Sequence, residues 1–321
     1  MITIHGTGCC QINKTGVPPN SYSLGGASVV SLAHAAQVLG KRSQTSFFGV
    51  RGNDEAADFI ESYIKKIPFK GYCLVKKDFP AEEAANHFCP EDLPDGFFNA
   101  NIVAFGGTAL VPKIHANLTG LLKKARDANA ITMVNLISGS PAGIAMPGKK
   151  CPLGANDDAY PYIDVLVANK ETAVKTSGAV SVKEAIHWFI SRGTGAIIVT
   201  DGRHSISFTA VKGIFSPMEL SYLPVCQEIE RELAAHPGRC GDSAGCGYNF
   251  AGGVLADIAE QLTVTPKGKL DMRESVIQGI ATGGFALFTT GGIYYESGIG
   301  EKRNRLTQYL EAYCRQLVNR A

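Results

Sequence analysis

Arg239-Cys240-Gly241-Asp242-Ser243-Ala244-Gly245-Cys246-Gly247-Tyr248-Asn249-Phe250-Ala251-Gly252-Gly253-Val254-Leu255 runs from a glycine-rich turn straight into an apolar helical pattern. Free backbone N–H groups at a helix start, with the positive end of the helix dipole behind them, make such a turn an anion site. Glycine adds close backbone approach to phosphate oxygens. No Lys-Ser/Thr pair closes the turn, so it is not a Walker A loop. A plain capped loop, with Asp242 or Ser243 as the cap, is the competing reading. The surrounding sequence has to choose between them.

Outward from this stretch, apolar runs of strand length alternate with helical patterns, the signature of βαβ units around a mostly parallel sheet. Strands are expected at 1–10, 45–50, 102–105, 131–136, 165–168 and 196–200, and helices at 26–39, 54–67, 112–128, 170–176 and 181–191. Gly40 is placed to stop the first helix, and Asn53 or Asp54 to cap the second. Residues 276–297 are long enough to span a bilayer and carry a single charge, Glu296, yet Gln278, several threonines and recurrent glycines make a buried helix, a turn and a strand the expected structure there rather than a membrane span. Two polar, turn-rich stretches, 11–24 and 71–98, interrupt the alternation. They are expected to form one small β lid over the carboxyl ends of the strands.

Composition excludes several classes of protein. The chain has 321 residues, 45% of them apolar, with 31 basic and 29 acidic side chains. That length suits one large α/β domain or two small ones, and disorder does not fit. No basic excess or Lys/Arg run points to nucleic acid or a membrane surface, so the expected partner is a small molecule or another protein. The nine cysteines form no CxxC pair, no histidine stands at metal-ligand spacing, and no leader pattern is seen. Reduced thiols in the cytoplasm are the expectation. The 36 glycines stand out against an ordinary content of ~7%.

Five segments taken in order and spacing carry a family resemblance. They are Gly25-Gly26 opening a helix, Gly49-Val50-Arg51-Gly52-Asn53-Asp54, Asn169 at a strand end, Thr200-Asp201-Gly202 at another, and the loop quoted first. GGASVVSLAHAAQVLG (25–40), FFGVRGND (47–54), YIDVLVANKETA (162–173) and GDSAGCGYNFAGG (241–253) together resemble the ribokinase/PfkB family of ATP-dependent sugar and nucleoside kinases, over nearly the whole chain. The resemblance implies a three-layer α/β/α sandwich, residues 1–321 as one domain, with a β lid. It implies ATP and Mg²⁺ as cofactors, a sugar or nucleoside hydroxyl as phosphoryl acceptor, and a homodimer formed through the lid. Carried over by position, Gly245, Cys246, Gly247 and Tyr248 would form the anion hole and catalytic end of the loop. Thr200 and Gly202 would flank the nucleotide, Asn169 and Glu171 would lie near phosphates and Mg²⁺, and Asn13, Gly25, Gly26 and Val30 would face the sugar. Gly49 and Gly52 are read as further ligand-facing backbone. Positioning and charge neutralisation are what phosphoryl transfer asks of a protein.

The chain departs from the family pattern at chemically important places. Tyr248 stands where the second signature has its aspartate base, and a phenol with an ordinary pKa near ~10 accepts a proton poorly at neutral pH. Asn249 is turned ~100° away on a helix and does not replace it. Asn13 replaces a sugar-binding aspartate, Val30 or Ser31 an asparagine, and the acid of Asn169-Lys170-Glu171-Thr172 comes one residue early. Two readings stay open within the family: a kinase of unusual site chemistry, and a catalytically impaired protein that binds nucleotide or sugar. A Rossmann dehydrogenase is the reading outside it, but Gly6-Thr7-Gly8-Cys9-Cys10-Gln11 lacks the third glycine. Cys246 is expected to pack inertly, His34 to be a packed or surface histidine, Asp164 to anchor its strand, and Arg303, Arg305, Arg315 and Arg320 to be solvated.

Overall fold

The structure is a computed structural model that describes residues 1–15, 21–137, 152–266 and 268–319. Its centre is set by four-residue apolar runs whose side chains alternate between two cores. Ile102 and Ala104 enter one core while Val103 and Phe105 enter the other; Val165/Val167 oppose Leu166/Ala168, and Ala196/Ile198 oppose Ile197/Val199, in the same way. Strands buried on both faces carry such continuous apolar runs, because helices cover each side of a parallel sheet.

The strands are β1 (Ile2–Gly8), β2 (Gln11–Thr15), β3 (Ser21–Gly25), β4 (Ser43–Arg51), β5 (Gly71–Lys76), β6 (Ile102–Gly106), β7 (Ile131–Leu136), β8 (Val165–Asn169), β9 (Ala196–Thr200), β10 (Ser205–Ala210) and β11 (Met218–Pro224). Nine of them form one sheet in the order β11-β10-β9-β8-β7-β6-β1-β4-β5. From β9 to β5 every pairing is parallel, and β10 and β11 add an antiparallel edge. The helices are α1 (Ala27–Leu39), α2 (Glu55–Ile64), α3 (Ala81–His87), α4 (Pro112–Ala116), α5 (Leu118–Asp127), α6 (Lys170–Ser177), α7 (Val182–Ser191), α8 (Gln227–Ala235), α9 (Cys246–Val264), α10 (Met272–Phe285) and α11 (Glu301–Val318). Apolar residues of α1, α2, α8, α9, α10 and α11 fill one core, and those of α4, α5, α6 and α7 fill the other. This is the expected α/β/α sandwich.

Two expectations need correction. Only 11–25 makes a separate two-stranded sheet, β2 against β3. The second expected lid segment, 71–98, begins with β5, which pairs with β4 at the edge of the main sheet, and continues into α3 and short turns that bury Phe88, Leu93 and Phe97 in the second core. Half-exposed edge positions give β5 a mixed pattern that resembles a loop. Nor does a strand follow the buried helix in 276–297: α10 is succeeded by a single 3₁₀ turn at Ala286–Phe288 and then by irregular chain.

Glycines in α9 and α10 explain how the quoted loop is held. A Cβ on Gly253 would lie 2.2 Å from Thr282 Oγ1 and 3.0 Å from Gly279 Cα, and one on Gly252 would lie 2.8 Å from His34 Cβ. The bare backbone therefore lets α9 press against α10 on one side and α1 on the other. Asp164 anchors its strand as expected: 4% exposed, it pairs with Arg126 and accepts from Thr132 N and Thr132 Oγ1. Asp164→Ala strands these donors and is expected to cost about 2–4 kcal/mol in chemical denaturation, with no change of denaturant slope.

Candidate functional site

Gly245 caps α9 in the left-handed conformation, φ 80°, and its Cα side faces Gly292 so closely that a Cβ would come within 2.7 Å of Gly292 Cα. The turn before it is clamped to residues 287–292. Gly241 N donates to Leu287 O at 2.7 Å and Asp242 N to Thr289 O at 3.2 Å. Both oxygens of Asp242 are occupied, Oδ1 by Ala244 N at 2.8 Å and Oδ2 by Gly291 N at 3.0 Å. Behind the turn, Asn249 Nδ2 donates to Gly245 O at 3.0 Å and Gly292 O at 2.6 Å. Asp242 is thus a brace for the loop rather than a free base; Cys246 N, the first of α9, donates to Ser243 O at 3.3 Å, and the next N–H groups, on Gly247 and Tyr248, stand at the helix start on a rigid support.

In front of this helix start lies a cavity of about 540 Å³. Thr200 and Gly202 form one rim, Cys246 and Gly247 another, and Ile229 and Leu233 of α8, Ile280 of α10 and Leu287 of the 3₁₀ turn after it supply apolar walls. An apolar slot opening onto a helix N-terminus suits a flat base at one end and phosphates at the other. Four of the expected residues therefore come together here. Gly245 does not line the cavity; it holds the loop. Asn169 stands beside Thr200 in the β8–β9 register, where its side chain accepts from Thr172 N at 2.7 Å and caps α6.

Tyr248 is half-buried and packs against both cores. Burial, and then the nearby Cys9 thiol, raise its phenol further above its ordinary value. The ring is consequently a worse proton acceptor than an exposed tyrosine. Cys246, also at the start of α9 and on the cavity rim, has its thiol pushed up to about 11 by burial and then by Asp242, which disfavours the thiolate.

Elsewhere along its length α9 packs against β1, β7 and β8. Gly26 caps α1 at φ 110°, and a Cβ there would strike Cys9 O at 2.5 Å, so this glycine serves the approach of α1 to β1. Val30 is not a ligand residue: it is 1% exposed inside the first core. Gly52 is likewise closed off, with Ala81 N 2.4 Å from where its Cβ would be, and the Cβ of Gly49 would strike the Phe47 ring. Gly25 ends β3, and Asn13 lies on β2 opposite Ser23, but the side chain of Asn13 is outside the described residues. Among the described residues, polar atoms that the sequence did not single out are left without a protein partner in this region: Thr7 Oγ1, Ser28 Oγ and Asn135 Nδ2, with Ser23 Oγ in β3. Buried groups of this kind normally have partners, so a ligand rich in hydroxyls fits them. Asn135 had a readable signal, an amide interrupting the apolar run Ile131–Leu136.

No protein family model matches the chain, and no curated protein matches it. Solved structures do. A fructokinase with bound ATP from Xylella fastidiosa superposes with a TM-score of 0.71 at 18% identity, over 96% of this chain and 99% of that one. The chain has the ribokinase fold. Ribokinase from Thermotoga maritima gives 0.65 at 17% identity, over 97% and 100% of the two chains. Adenosine kinase from Anopheles gambiae, solved with P1,P4-di(adenosine-5) tetraphosphate, gives 0.64 at 19%, over 88% and 95%. On a ribokinase fold, the cavity at the α9 start lies at the carboxyl ends of the parallel strands, where open α/β sheets bind ligands.

A metal has less protein support. Glu171 is exposed and paired with Lys175, which holds its carboxyl below the usual range, and the Asn169 oxygen is committed to its cap. Among the described residues no group of three or more His, Cys, Asp or Glu side chains could hold a metal ion. No described helix is long and apolar enough to cross a membrane.

Proposed function

We propose that the protein binds ATP across the start of α9 and transfers its terminal phosphoryl group, slowly, to a hydroxyl of a sugar or nucleoside held beneath the β2–β3 hairpin. The observation that carries this reading is the apolar cavity opening directly onto the rigidly braced helix N-terminus at Gly247. Thr200 and Gly202 would flank the nucleotide, the N–H groups of Gly247 and Tyr248 would receive phosphate oxygens, and Thr7, Ser28 and Asn135 would take acceptor hydroxyls. Mg²⁺ would arrive on the nucleotide phosphates, neutralising their charge, as is usual where a protein offers few carboxylates. At the α9 start itself, among the described residues, no free carboxylate stands in the base position, since Tyr248 holds its proton tightly and both oxygens of Asp242 are engaged. General-base assistance contributes typically about 10²–10⁴ in rate, and its loss leaves positioning and electrostatics. The same feature favours the second reading, a protein that binds both ligands without turning them over.

Thermal unfolding with and without Mg-ATP tests the binding step. Saturation at ~100 Kd is expected to raise Tm by about 4 °C. An unchanged Tm over millimolar ATP, confirmed by calorimetry, overturns the proposal. Phosphoryl transfer to a panel of sugars and nucleosides then separates slow kinase from binding protein.

A further inference from the structure

Lys302, the second residue of α11, is buried at 2% exposure, and no carboxylate pairs with its Nζ among the described residues. The ammonium donates instead to two neutral amides, Gln37 Oε1 of α1 at 3.1 Å and Asn249 Oδ1 of α9 at 3.2 Å. An apolar side chain would fill such a place at lower cost, because a buried ammonium without an anion is expensive. The contacts show where its charge is directed. By occupying Asn249 Oδ1, the lysine fixes which way that amide points, and Nδ2 then holds the carbonyls of Gly245 and Gly292. Gly245 is the cap of α9, so the ammonium sits one amide behind the loop whose front faces the cavity.

We propose that Lys302 is a built-in cation of the anion loop, whose protonated Nζ, through Asn249, orients the α9 start and strengthens its hold on nucleotide phosphates. This rests on the ATP reading above. The charged and titratable surroundings are few. His34 of α1 is fully buried and kept neutral by burial and then by Lys302 itself. Glu296, in the chain before α11, accepts from Lys302 N at 2.8 Å, and its charge favours the ammonium. On α11, Glu301 is taken up by Tyr294 and Ser297 and pairs with Arg305. Burial outweighs Glu296 and brings Lys302 down to about 7. The residue therefore changes charge near neutrality, and an anion bound at the loop must favour its protonated form.

The signs of two pH effects are then opposed. Between about 7 and 10.5 the unfolded chain keeps the proton that folded Lys302 has released, so this group makes the ligand-free protein more stable as pH rises. Over the same range it makes ATP binding weaker and coupled to proton uptake. A lysine that served only packing would show the first trend without the second.

Titration calorimetry of Mg-ATP between pH 6.5 and 9, in buffers of different ionisation enthalpy, reads both quantities. Wild type is expected to take up a proton on binding above neutrality and to lose about tenfold in affinity across the range. Lys302→Met is expected to bind about tenfold more weakly at pH 6.5, with no such slope; the nucleotide's own titration cancels in the difference. Glu296→Gln, which leaves the buried lysine in place, is expected to move the midpoint to lower pH. ATP binding by wild type with neither proton uptake nor a pH slope overturns this inference alone, and no binding at any pH overturns the nucleotide reading and this one together.

Discussion

Gly247→Ala is expected to leave the ligand-free protein as stable as wild type, or more stable by up to about 1 kcal/mol, while weakening ATP binding at least ~10-fold. The two effects separate because of where the Cβ goes. Gly247 sits in the first turn of α9 with ordinary helical backbone, and a Cβ there meets no atom within 4 Å. Alanine suits a helix better than glycine and gains nothing to clash with. The open space it enters is the mouth of the cavity, where a phosphate must reach the N–H groups. Gly245→Val should do the reverse. Its backbone is left-handed and its Cβ would collide with Gly292, so the variant is expected to lose about 2–4 kcal/mol of stability and the loop with it. Denaturation and ATP calorimetry on the pair decide the matter. If Gly247→Ala binds ATP as wild type does, the phosphates are not at the α9 start.

That contrast shows how far the sequence could be read. The glycine turn and the helix after it are local, so their residue types allow a candidate anion site to be read without tertiary knowledge. β6, β7, β8 and β9 are legible because strands buried on both faces are mostly apolar, with Thr132 and Asn135 as the breaks inside β7. Edges were harder. β5 and β11 carry half-exposed, mixed sequences, and the first was read as lid. Residues whose role depends on which face meets which neighbour were the least legible. Val30 sits in a signature yet points into the core, and Ile229 and Ile280 look like core residues yet wall the cavity. The last helix was read as a solvated basic face, which holds for exposed Arg303 and Arg305 but hides Lys302, one residue earlier.

Tyr248→Asp is expected to raise the rate of phosphoryl transfer by about 10²-fold or more, at a cost of about 1–3 kcal/mol in stability. The gain follows from the proton. A hydroxyl that attacks phosphorus must shed its proton, and the wild-type phenol, lifted by burial above its ordinary value, is already protonated throughout neutral pH. A carboxylate at the same point of α9 is ionised there and able to accept. The stability cost follows from losing an aromatic ring that packs against both cores. Two further measurements make the reading specific. Tyr248→Phe should match wild type in rate, because a phenol that takes no proton is not missed. The Tyr248→Asp rate should fall in acid, through the pKa of the new carboxylate, whereas the wild-type rate should show no such limb. An unchanged rate in Tyr248→Asp, with Mg-ATP still bound, would mean that no acceptor hydroxyl reaches the α9 start. The chain would then use its ribokinase fold to hold a nucleotide rather than to spend one.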